Sequence, residues 1–151
     1  MEILPSFGDT LMIKSQKSLH SIITTYIIGC PRVRFHVIGK SMQPLIQRGN
    51  WIVVEPIFPN MGYAQGDIIL FSRADEFVVH RIVALKDQSI ITQGDWTKIQ
   101  DPPILQSVVI GRVVEVEKPF FTIRLNQPFG GWINHVIFWL VSHVKCLISY
   151  Q

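Results

Sequence analysis

Between Arg32 and Lys118 the chain breaks into short apolar stretches separated by turn residues, and that punctuation restricts it to a small sheet-based fold. "RVRFHVIG" alternates, "WIVVEP" is a β-branched run, "GDIILFSR" follows a Gly-Asp turn, and "EFVVHRIVAL", "SIITQGD" and "SVVIGRVVEVEK" continue the series. Strand side chains alternate between faces and β-branched residues pack well on a pleated surface, so these runs read as strands. Gly, Pro, Asn and Asp collect between them at "QRGN", "FPNMGYAQGD", "SRADE", "LKDQ" and "DWTKIQDPP". The expectation is a mainly β architecture: an N-terminal arm over 1–31, a β domain over 32–118 with one core, and a C-terminal helical segment over 119–151.

The flanks change period. In the arm, "SLHSIITTYIIGC" stays apolar for about a dozen positions and stops at Pro31, which suits a short buried or interfacial helix. The opening "MEILPSFGDTLMIK" carries an acid and lacks the basic start and small-residue exit of a secretory signal, so it reads as part of the mature protein. No stretch reaches the roughly 18 uninterrupted apolar residues of a membrane span. After "LNQPFGG", residues Ile133, Val136, Ile137, Leu140, Val141, Val144, Leu147 and Ile148 share one side of a helix, with Asn134, Ser142 and Lys145 on the other. Three readings stay open for this amphipathic helix. It packs on the β domain or a partner, or it lies in a membrane interface with Trp132, Phe138, Trp139 and Lys145 at headgroup depth. In the third it spans the bilayer, which would bring His135, Ser142, His143 and Lys145 into hydrocarbon.

Composition bears on partners. An apolar fraction of 48% with mean hydropathy +0.28 predicts exposed apolar surface facing a lipid or a partner. The charge of +3 is the balance of 14 Lys and Arg against 11 Asp and Glu, and the basic residues are scattered, not massed into a patch or tail, so no nucleic-acid partner is indicated. Cys30 and Cys146 form no CxxC pair, which argues against a zinc site or a disulfide framework. Two partly buried thiols are expected, with a single bridge as the alternative.

Chemistry concentrates in three places. Ser41, in "GKSMQP", follows a strand and a glycine, and Pro44 prevents that strand from continuing, so the hydroxyl is expected at a strand-to-turn corner. A serine nucleophile needs a base within reach and N–H donors for the oxyanion. Of the five histidines, His20, His135 and His143 fall in the helical arms, and period-two counting puts His36 on the face opposite Ser41. His80 interrupts the apolar run "FVVHRIVAL", where a buried imidazole must find a hydrogen-bond partner. Imidazole is also the side chain best matched to moving a proton near neutral pH. A carboxylate that fixes its tautomer completes such a pair. Asp95 follows "TQG" and Asp101 comes six residues later. Either serves equally well as a turn residue, as does Asp67 in "QGD", which is given no catalytic part.

The order "GKSMQP", "QRGN", "QGDIILF", "VVHRIV", "TQGD" with Asp101 beyond it, and "VVIGRVV" resembles the signal peptidase I superfamily of S24/S26-like serine peptidases, across about 35–116. It is most similar to the endoplasmic-reticulum and archaeal type that uses Ser and His. The resemblance implies the small β domain shared by signal peptidases and repressor proteases. It also implies Ser41 as nucleophile, His80 as general base, Asp101 as the acid partner, Asp95 as a second functional aspartate, and Met42 and Pro44 as residues shaping the serine turn and the neighbouring substrate pocket. Further, it implies cleavage of a peptide or preprotein after a small residue, with no metal or organic cofactor. Two departures stand out: "SIITTYIIGC" replaces the family's clear N-terminal span, and "GDWTKIQD" replaces an asparagine-rich continuation.

The sequence therefore predicts a serine endopeptidase that removes signal or leader segments. Attachment would be peripheral or weak at a membrane surface through the C-terminal helix, with a soluble cytoplasmic form, dependence on an accessory protein and dedication to one peptide precursor left open. A self-cleaving repressor relative is disfavoured, because those pair serine with lysine, only Lys86 lies between the second and third boxes, and no helix-turn-helix precedes the β domain. A degenerate peptidase fold that only binds peptides would not need Ser41, His80 and Asp101 together.

Overall fold

The computed structural model describes residues 3–5, 25–27, 29–57, 62–74, 76–126, 132–137 and 139–140. Among them nine strands form one antiparallel sheet: β1 (Ile3–Pro5), β2 (Val33–Val37), β3 (Trp51–Pro56), β4 (Ile68–Arg73), β5 (Glu76–Lys86), β6 (Ser89–Gln93), β7 (Ile104–Leu105), β8 (Val109–Glu117) and β9 (Thr122–Arg124). The order is β1-β2-β3-β8-β4-β5-β6-β7, with β9 paired to β8. The mainly β architecture is the one the sequence predicts. The sheet also extends past 32–118, since Ile3–Pro5 pairs with β2 and Thr122–Arg124 pairs with β8.

Burial explains why some strands alternate and others do not. Strands β4 and β5 are covered on both faces, so they read as continuous apolar runs. Ile68 and Leu70 with Phe77 and Val79 enter one apolar cluster, which also takes Phe35, Ile52 and Val116. Ile69 and Phe71 with Val78 and Ile82 enter a second, smaller one on the other face. Charged side chains line β2, β3, β8 and β9, with Arg32 2.7 Å from Glu55 and Arg34 bonded twice to Glu117 at 3.0 and 2.5 Å. Exposed pairs of this kind add at most about 1 kcal/mol each, so they mark a wetted surface more than they hold the fold.

The helical flanks are partly described. Residues 25–27 and 29 are helical, Ile27 is fully buried in the larger cluster, and Cys30 is half-buried. Residues 132–137 and 139–140 are helical, and Ile133 and Ile137 pack on the same cluster. The apolar side of the C-terminal helix thus meets the β core over this stretch, while Trp132, Trp139 and Leu140 are exposed. His20, the rest of the N-terminal arm, and Val141 through Ile148 with His143 and Cys146 lie outside the described residues.

Candidate active site

Ser41 sits on a turn that the core pins from below. After β2 ends at Val37, residues 41–46 make one helical turn in which the Ile46 N–H donates to the Met42 carbonyl at 3.0 Å. Met42, Leu45 and Ile46, at the i, i+3, i+4 spacing of a helix face, are all buried in the larger cluster. Pro44 is on the outer side and exposed. Met42 therefore anchors the turn from within the core, and Pro44 is the member of the pair that solvent reaches. The return to β3 is closed by Val37 and Asn50, whose backbones bond at 2.9 Å, and by the Asn50 Oδ1, which accepts the Gln47 N–H at 2.9 Å.

His80 lies in the middle of β5, where alternation places it with Val78 and Ile82 on the side of the smaller cluster. Its ring meets the Phe71 ring edge-on at 6.3 Å between centroids, and the residue is 5% exposed. Nε2 is 3.1 Å from the Ser41 Oγ, and Nδ1 is 2.5 Å from the Asp101 Oδ2. Asp101 reaches this point because its loop folds back on β6: its N–H donates to the Thr92 carbonyl at 2.8 Å, and the Thr92 hydroxyl donates to the same Oδ2 at 2.8 Å. Arg73, at the end of β4, donates to Oδ1 at 3.1 Å.

Electrostatics then fixes the protons. Burial pushes the Asp101 carboxyl up, but the hydrogen bonds from His80 and Thr92 and the charges of His80 and Arg73 outweigh it, holding the group below the ordinary carboxylate range. An ionised carboxylate only accepts, so Nδ1 carries the proton and donates to it. In the neutral imidazole that leaves the Nε2 lone pair facing the Ser41 hydroxyl. The three side chains form a relay from a hydroxyl to an acceptor to a fixed anion, which is the arrangement that lets an alcohol attack an acyl carbon.

Asp95 is elsewhere. Its two oxygens take the Arg81 Nε–H at 2.8 Å and a terminal N–H at 2.7 Å, and the two side chains are 2% and 1% exposed. Arg81 also donates to the Gly66 carbonyl at 2.9 Å and to the Asn134 Oδ1 on the C-terminal helix. Of the two candidate aspartates, then, Asp101 meets His80 while Asp95 closes a buried ion pair on the opposite face of β5. The same loop still touches the serine: the Trp96 N–H donates to the Ser41 carbonyl at 2.8 Å, and the Gly94 Cα lies against the Ser41 backbone. Asp67 takes the turn role expected of it, accepting the Ala64 N–H at 2.9 Å. His36 packs on Trp51 at 4.9 Å.

Sequence reasoning did not find Arg73, Thr92 or Asn134. The first two meet Asp101 from other strands, and nothing within either strand signals a contact 28 or 9 residues away. Arg81 was visible as the arginine after His80 but carried no assigned partner.

A family model described as Peptidase S24-like matches residues 30–114, which takes in Ser41, His80, Asp95 and Asp101. Among curated proteins no match is found.

Proposed function

The chain belongs to the S24-like peptidase family, and on that footing we propose that it is a serine endopeptidase that removes signal or leader segments by cutting after small residues. The observation that carries the proposal is the line from Ser41 Oγ through His80 to Asp101, with contacts of 3.1 and 2.5 Å. In this reading His80 takes the hydroxyl proton as Ser41 attacks the scissile carbonyl. The Ser41 backbone N–H contributes to the oxyanion site, and the imidazolium, steadied by Asp101, returns the proton to the leaving amine. Water then resolves the acyl-enzyme by the same path. Lys86, the lysine a serine–lysine mechanism would call on, is exposed near the end of β5, six residues past His80, which supports histidine as the base.

The proposed setting is a membrane surface. Among the described residues no helix is long and apolar enough to cross a bilayer, and the exposed Trp132, Trp139 and Leu140 suit peripheral contact at headgroup depth. The test is a peptide panel varied at the first and third positions before the cut, with and without lipid vesicles. Cleavage is expected only after small side chains and only with Ser41 present. Serine-independent cleavage, or no preference for small residues, would overturn the reading.

Gly94 offers a finer check. A Cβ there would stand 2.7 Å from the Ser41 carbonyl oxygen and 3.0 Å from the Ser41 Cβ. The first of these is a backbone atom and cannot swing aside. Gly94→Ala is expected to shift the nucleophile and cut kcat by about 100-fold, since misplacement of order 1 Å has that effect. Stability should fall by about 1–3 kcal/mol, typical of overpacking. Single-turnover kinetics and urea unfolding on the same samples separate the two losses.

A further inference from the structure

The residue that stands out beyond the relay is Arg73. It closes β4 at the hairpin into β5, where Ala74 takes a left-handed φ of 53°, and its guanidinium reaches across to the far oxygen of Asp101. The carboxylate is thereby held from two sides. Oδ1 accepts from Arg73 while Oδ2 accepts from Thr92 and His80, so it cannot rotate without breaking bonds on both oxygens.

We propose that Arg73 is a positioning residue that also sets the acid limit of the site, by placing a fixed positive charge on the side of Asp101 away from His80. The proposal rests on the serine–histidine reading above for its effect on catalysis, though not for its effect on the imidazole. A carboxylate alone favours the imidazolium; a cation against the same carboxylate offsets part of that attraction and keeps the imidazole neutral, hence able to accept the serine proton, to lower pH. Among the described residues few other groups face the pair. Thr92 from β6 and Ser41 are uncharged, and Phe71 from β4 is apolar. Arg81 and Asp95 neutralise each other on the opposite face of β5, and Glu76, opposite Arg73 in the hairpin register, is exposed. Arg73 is itself 45% exposed against 12% for Asp101, so solvent weakens the effect without removing it.

The experiment follows the His80 ring by NMR as pH is varied, with its signal assigned by its loss in His80→Gln. Wild type is compared with Arg73→Gln and Arg73→Lys. Arg73→Gln is expected to raise the midpoint of the His80 titration, since it removes the charge that offsets the carboxylate. Arg73→Lys, which keeps the charge, should leave it in place, and 1 M salt (about a 3 Å screening length) should narrow the gap between Arg73→Gln and wild type. The acid limb of kcat/KM on the best peptide should move with the ring. Coincident titrations in wild type and Arg73→Gln would overturn the proposal, and so would equal shifts in the Gln and Lys variants. A shifted titration in a protein whose cleavage does not depend on Ser41 would uphold the role of Arg73 and sink the peptidase reading instead.

Discussion

Alanine at Ser41 is expected to lower kcat/KM by about 10⁴- to 10⁶-fold, and alanine at both Ser41 and His80 to cost no more than the worse of the two single changes. The reason lies in the geometry. The Ser41 Oγ and the His80 Nε2 are 3.1 Å apart, so in the proposed mechanism attack and proton transfer are a single event that either residue alone could not perform. Once the hydroxyl is gone, the imidazole has nothing to activate. Asp101→Asn should cost about 10⁴-fold, because an amide can present its own N–H to Nδ1 and drive the ring to the wrong tautomer. The check is kcat/KM for the three single variants and the double, with thermal unfolding confirming that each is folded. Losses that multiply in the double variant would show that Ser41 and His80 act separately, and retained turnover in Ser41→Ala would remove the mechanism.

What the sequence made legible, and what it hid, divides along local and non-local lines. The serine corner was readable because its signals lie within a few residues: a strand, a glycine and a proline. The strands were readable from alternation, and β4 and β5 from its absence, since both of their faces are covered. The pairing of Ile3–Pro5 with β2 was not, because a three-residue strand carries no period and its partner is some 30 residues away. Period-two counting across His36 and Ser41 also failed as an argument, since β2 ends at Val37 and the residues between are not extended strand. His36 is nevertheless engaged with Trp51.

Spacing and period could not choose between Asp95 and Asp101 for a similar reason, and only the resemblance named Asp101 as the acid partner. Both follow β6 in a loop, where no periodicity assigns a direction. What decides is the return of the chain to Thr92, a backbone bond that places Asp101 under His80 and leaves Asp95 to Arg81. Asn134 shows the same limit from the other end. Helical spacing put it on the polar side, which suggests water, yet that side meets the Arg81 guanidinium and the Gly66 carbonyl.

That buried pair supports the second large effect, one on stability. Asp95→Asn is expected to destabilise the fold by about 3–5 kcal/mol, because it leaves the Arg81 charge buried without its counter-ion. An exposed ion pair would contribute about 1 kcal/mol at most, so the 1% and 2% exposure of these two side chains is what separates the predictions. Replacing both partners by apolar residues of similar volume, Arg81→Met with Asp95→Leu, should recover most of the loss: desolvation of two charges disappears along with their attraction, and the Asn134 Nδ2 still donates to the Gly66 carbonyl at 3.3 Å. Activity should not recover in step. The loop from Gly94 to Trp96 holds the Ser41 backbone, and without the two-pronged grip of Arg81 on Asp95 that loop loses its fixed height above β5. Urea unfolding of the single and double variants, set beside their kcat, tests both halves. A single variant within about 0.5 kcal/mol of wild type, the scatter of ordinary surface changes, would mean that solvent reaches the pair in solution. A double variant with full kcat would mean that the serine is held by its own turn alone.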